Sequence, residues 1–306
     1  MPRFVPPGSR RPALTVALAV SLVLIALSCH CSRKHQDSPP AAKIDAAARV
    51  AKRVVSLSPS TTEALFAIGA KDVVVGRSRY CDFPPEALAL PQVGGYADPN
   101  FEAVLALKPD LVVGGRGPAG VQLLDRLVAF GTEGYFPETE SFAQIDAMLL
   151  GMGNRTGHTK EAEALIARMH AREAEVRAAV AGRPRPRVLI VFGLEPIVVG
   201  GPKSFSNEMI DHAEGDNAVR DGAVYPTLGM EQILALDPDV VVNAAVAGSH
   251  GHQRITRDAP GWSELRAVKG GRVVPIVDDS VLRPGPRVIE GVAVLARALH
   301  PDAAIH

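Results

Sequence analysis

The order of apolar and polar positions in residues 101–113 recurs at 230–242, 129 residues further on. The first copy reads Phe101-Glu102-Ala103-Val104-Leu105-Ala106-Leu107-Lys108-Pro109-Asp110-Leu111-Val112-Val113. The second reads Met230-Glu231-Gln232-Ile233-Leu234-Ala235-Leu236-Asp237-Pro238-Asp239-Val240-Val241-Val242. In each, spaced apolar residues predict a short helix and Pro-Asp a turn. The unbroken apolar run that follows predicts a strand covered on both faces, as in a parallel sheet. Asp98 and Thr227 hold the same place ahead of the two copies and are expected to cap the helices, with Pro99 at the first helical position. A repeat of this length implies duplicated domains rather than a solenoid.

Further apolar runs predict strands at 53–57, 73–76, 187–191 and 272–277, alternating with helical segments. Residues 159–181 are rich in Ala, Glu, Arg, Leu and Met and hold no Gly or Pro, so they predict one helix about 35 Å long. Gly182-Arg183-Pro184-Arg185-Pro186 stops it. The expected architecture is α/β: two Rossmann-like lobes with parallel sheets (51–157 and 183–306), a single linker helix (158–182) and a ligand cleft between the lobes. A stiff single connection of this kind limits hinge closure.

The N-terminus changes the compartment. Arg3, Arg10 and Arg11 precede an apolar run that ends at Ile25-Ala26-Leu27-Ser28-Cys29. Small residues before a cysteine resemble a lipobox. Residues 1–28 therefore read as a lipoprotein signal peptide, Cys29 as the lipidated N-terminus and 29–50 as a flexible tether; an uncleaved anchor or ordinary cleavage is the alternative. The formal net charge is zero and the mature chain has no Lys/Arg stripe, which excludes nucleic acid as the main partner. Cys81 is the single cysteine of the folded part and reads as a small buried hydrophobe.

Val54-Val55-Ser56-Leu57-Ser58-Pro59-Ser60-Thr61-Thr62-Glu63 resembles the opening of the class III, helical-backbone periplasmic binding proteins of ABC importers. Ser78-Arg79-Tyr80-Cys81-Asp82-Phe83-Pro84-Pro85-Glu86-Ala87, Val93-Gly94-Gly95-Tyr96 and Leu282-Arg283-Pro284-Gly285-Pro286-Arg287 resemble its cobalamin-binding branch. The resemblance spans roughly residues 51–300. It implies a cobalamin or other corrinoid in the cleft, an ABC permease with its ATPase as partners, no catalysis and no cofactor. It also implies a monomer in the periplasm, held to a membrane by its lipid; which membrane is left open.

Carried over by position, Tyr80 and Tyr96 in the first lobe and Tyr225 in the second fall where aromatic ligand contacts are implied, and Asp279 and Arg283 where polar ones are. A corrin needs such a mixture of ring-packing surfaces and polar groups. The related binder carries Trp where Tyr96 and Tyr225 stand, an aromatic near Gly115 and a cysteine where Ala213 stands. Asp279 also reads as the cap of a helix near 286–288, and Arg287 as the partner of a carboxylate. Glu102 and Glu231, equivalent in the repeat, are the glutamates the resemblance implies for permease docking; the bland reading is stabilisation of a helix start.

Gly115-Arg116-Gly117-Pro118-Ala119-Gly120 has a dinucleotide-type spacing, but Glu133 lies in a Gly-rich turn rather than at a strand end, and an exported chain meets no NAD. His250 and His252 alternate in a polar loop without an evident third metal ligand. Trp262 reads as a core anchor. No motif for hydrolysis is present. A binder of a ferric siderophore, haem or metal complex is the alternative within the same class, and an exported enzyme the alternative outside it.

Overall fold

The computed structural model describes residues 50–116, 118–246 and 254–305, with the backbone alone at 118–122 and 124. The leader, Cys29, residues 29–49 of the tether, and His250 and His252 lie outside the described residues. The first half runs β1 (Val54–Ser56), α1 (Pro59–Ala67), β2 (Val74–Arg77), α2 (Phe101–Ala106), β3 (Leu111–Val113), α3 (Pro118–Ala129), β4 (Glu133–Tyr135) and α4 (Phe142–Thr156). The helix α5 (Thr159–Val180) leads into the second half. There follow β5 (Arg187–Leu194), β6 (Ile197–Val199), α6 (Phe205–His212), β7 (Asp216–Asn217), α7 (Met230–Leu236), β8 (Val240–Asn243), α8 (Arg266–Lys269), β9 (Val273–Pro275) and α9 (Val288–Leu299).

Each half carries its own sheet. The first has the order β2-β1-β3-β4 and is parallel throughout. The second has the order β6-β5-β8-β9, with β7 also pairing with β5. Its pairings are parallel except for β6, which folds back antiparallel on β5.

The continuous apolar runs are explained by the two faces of each strand. Leu111 and Val113 point into the core that continues through α4, α5 and α9, whereas Val112 points to the outer cluster with Val55 and Val104. In the second sheet Val240 and Val242 join the same central core, and Val241 joins an outer cluster with Ile233 and Trp262. Alternation within the strand therefore buries every position. The Pro-Asp turn starts each strand. The carboxylate of Asp110 accepts the backbone N–H groups of Lys52 and Arg53 at 2.8 and 2.9 Å, and that of Asp239 accepts the N–H of Arg187 at 2.8 Å. Lys108 and Asp237, again 129 apart, both take left-handed backbone angles (φ 48° and 39°) where α2 and α7 end.

The helix caps differ from the expectation. Asn100 caps α2, its side chain accepting from the N–H of Ala103 at 3.0 Å, and Gly229 precedes α7, donating its N–H to the Gln232 side chain at 2.9 Å. Pro99, expected at the first helical position, bridges to Gly94, and Thr227 bridges to Val198, so each helix starts two residues later than expected. Asp98 is instead bound to Arg79 at 2.7 Å.

Across the lobes, Glu63 of α1 is only 2% exposed and faces two arginines. Arg287 grips it with two hydrogen bonds (Nε to Oε2 at 2.8 Å, Nη2 to Oε1 at 2.9 Å), and Arg283 adds a third to Oε1 at 3.0 Å. Arg283 also binds Asp82 at 2.8 Å and Asp279 at 2.7 Å, and Phe83 lies against the Arg287 guanidinium at 4.1 Å. The Arg283 hydrogen bond holds the Asp82 carboxyl below the usual carboxylate range. Glu63→Ala leaves Arg287 without its carboxylate beside a closed lobe junction. The expected loss is on the order of 3 kcal/mol, read as a lower urea midpoint, with a smaller loss for Glu63→Gln, which keeps shape and one acceptor.

Candidate functional site

The first lobe contributes the carboxyl ends of its strands, where α/β sheets place ligands. Beyond β1 the chain turns through Ser58, whose hydroxyl accepts the Thr61 N–H and caps α1. Ser56, Ser58, Thr61 and Thr62 satisfy one another's hydroxyls at 2.8–2.9 Å, so this turn is fixed by its own bonds. Against it stands the second lobe's Leu282-Arg283-Pro284. A cavity of about 340 Å³ lies between them, walled by Ser60, Tyr96, Gly115, Glu140, Arg283 and Pro284 among others.

Tyr96 is 37% exposed and lies over Gly115, where a Cβ would stand 3.4 Å from the ring edge. Tyr96 therefore lies within van der Waals reach of the chain after β3. Burial, and behind it the charge of Glu140, pushes the Tyr96 hydroxyl upward in pKa.

Glu140 sits in the strap between β4 and α4 of the first lobe, yet its bonds go to the second. Its Oε2 accepts the Tyr225 hydroxyl at 2.9 Å and the Phe205 N–H, the first of α6, at 2.8 Å. Tyr225 is 42% exposed, packs edge-on against Phe192 at 5.7 Å, and is likewise raised in pKa, by burial first and by Glu140 next. The sequence carries no sign of Glu140's position: its partners lie 65 and 85 residues away, and Pro137-Glu138-Thr139-Glu140 reads as an ordinary polar loop.

On the other side of Arg283 a second cavity of about 500 Å³ is walled by Asp82, Phe83, Val277, Asp278, Asp279 and Arg287. Tyr96 and Arg283 therefore share one cavity and Asp279 lies beside Arg283, whereas Tyr225 walls neither cavity and meets the site through its bond to Glu140. Arg283 is bound by three carboxylates and is 16% exposed. Asp279 does not cap α9; it opens the short turn 279–281, which Asp278 caps through the Ser280 N–H at 2.9 Å. Tyr80 is half exposed on the loop after β2, with the Arg79 guanidinium 5.0 Å from its ring, and is not among the residues walling either cavity.

Glu102 and Glu231 lie in the first turns of α2 and α7, both exposed, and have no hydrogen-bond or ion-pair partner among the described residues. Cys81 is buried beside the Ser78 hydroxyl at 3.6 Å, and Trp262 is 5% exposed in the outer core of the second lobe.

Residues 54–279 match the family model described as periplasmic binding protein. The vitamin B12-binding protein of Salmonella typhimurium is 31% identical over 250 residues, covering 81% of this chain and 90% of the relative. An uncharacterized ABC transporter substrate-binding lipoprotein of Bacillus subtilis, YvrC, is 32% identical over 258 residues, covering 82% of this chain and 81% of its own. Among solved structures, the periplasmic heme-binding protein RhuT from Roseiflexus superposes with a TM-score of 0.71 at 28% identity, covering 82% of this chain and 98% of that one. The family model spans most of the chain and the Salmonella relative is matched over most of both lengths, so the chain belongs to the periplasmic binding protein family.

Proposed function

We propose that this chain is the extracytoplasmic solute-binding lipoprotein of an ABC importer, anchored through Cys29, and that it carries cobalamin or a related corrinoid to its permease and ATPase. The observation that carries the ligand reading is a cleft between the lobes walled by Tyr96, hydroxyls, Met148, Leu282 and ion-paired arginines, with Tyr225 of the second lobe bonded to the wall residue Glu140. Such a cleft suits a broad ring with a polar fringe. The likeness to the Salmonella vitamin B12-binding protein supports the same ligand. The likeness to RhuT supports haem as the second reading, with a tyrosine as contact or iron ligand. Transport rather than catalysis is the role on either reading.

Glu102 and Glu231 are assigned to permease docking. They are exposed carboxylates without a partner among the described residues, at equivalent places in a repeat, and a two-lobed protein with one on each lobe suits a transporter with two-fold symmetry.

Replacing Tyr96 or Tyr225 by Ala is expected to weaken cyanocobalamin binding by about 1–3 kcal/mol in calorimetry, with Tyr80→Ala tested alongside. Unchanged affinity in all three variants removes the cleft assignment; preference for haemin over cyanocobalamin replaces the ligand. Docking is read separately. Glu102→Ala and Glu231→Ala are expected to leave affinity for the ligand intact and to lower uptake, the double variant more than either. Normal uptake by the double variant rules out the role.

A further inference from the structure

The charges at the cleft are unequally matched. Arg283 already faces Glu63, Asp82 and Asp279, and Arg287 faces Glu63. Arg116, on the cavity wall, is paired with Glu138 at 2.9 Å. Each described arginine on the walls thus has a carboxylate of its own. Glu140 is the reverse case. Its two partners, the Tyr225 hydroxyl and the Phe205 amide, are neutral and both use Oε2. No arginine or lysine among the described residues is paired with it, and its Oε1 has no hydrogen-bond partner there. Its negative charge is felt at Tyr96 on the cavity wall and at Tyr225 of the other lobe.

We infer that Glu140 is a specificity-determining residue of the cleft, selecting a macrocycle with a neutral, amide-donating fringe over one with a carboxylate fringe. This rests on the reading of the cleft as a corrinoid site. The physical reason is that Oε1 offers an acceptor to an amide N–H, and charge-assisted bonds of that kind are strong. A ligand carboxylate in the same place meets like charge in a partly dry site, with no spare cation on the described walls to offset it. Corrinoids carry amide side chains around the ring, whereas haem carries two propionates. The hydroxyls of Ser60 and Thr139 on the same walls accept or donate to either and do not discriminate.

The test uses the full chain in detergent and three probes: cyanocobalamin, its monocarboxylate with one ring amide hydrolysed, and haemin. The wild type is expected to bind cyanocobalamin roughly tenfold or more tighter than the monocarboxylate. Glu140→Gln keeps an acceptor for Tyr225 and Phe205 but loses the charge, so the ratio is expected to collapse towards one. Glu140→Asp keeps the charge with a shorter reach and is expected to keep the preference. A ligand-free readout accompanies it: in an ultraviolet pH titration the Tyr225 hydroxyl ionises at lower pH in Glu140→Gln than in the wild type, because a neighbouring anion is gone. The inference alone is overturned if cyanocobalamin binds but the Gln variant keeps the wild-type ratio, if the Asp variant loses the ratio as Gln does, or if the tyrosine titration does not move. Preference of the wild type for haemin, or binding of neither ring, overturns the corrinoid reading and this inference with it.

Discussion

A carboxylate that is almost wholly removed from water has to be matched where it lies, and Glu63 is matched from the other lobe. The free energy of burying that charge is recovered only while α1 and the 283–287 segment stay together. Two other ties reinforce the junction. Glu140 reaches across to Tyr225 and α6, and Phe142 stacks on His212 at 4.0 Å while its N–H meets Glu208 at 3.4 Å. The linker helix therefore does not act alone in setting the spacing of the lobes. The same ties hold the edges of the cleft, Glu140 on its wall being bonded to Tyr225 of the second lobe.

Much of this architecture was legible because the chain states it twice. The two copies of helix, Pro-Asp turn and apolar strand carry the same local physics, down to the aspartates that bind the start of a neighbouring strand. The antiparallel β6 was not anticipated, since Ile197-Val198-Val199 is too short to declare a direction. The caps fell two residues late for a related reason. Asp98 and Thr227 have the right chemistry, but the bridges of Pro99 to Gly94 and of Thr227 to Val198 decide the backbone there, and those are contacts rather than propensities.

The site was less legible than the fold. Tyr96, Tyr225 and Arg283 could be picked from motifs, but what each is doing depends on neighbours far away in sequence. Arg283 is largely occupied by carboxylates, which limits what it can offer a ligand. Glu140 escaped notice because a glutamate in a polar loop has no distinguishing local pattern. Its meaning comes from the absence of a positive partner among the described residues, which only three dimensions reveal.

The central core has a further consequence. Leu111 and Val113 of the first sheet, Met169 and Val176 of the linker helix, and Val240 and Val242 of the second sheet belong to one continuous apolar cluster. The duplicated halves are thus two in topology and one in thermodynamics. Cutting the chain at the linker exposes a face that neither half can cover, and heating should melt both together in a single cooperative step.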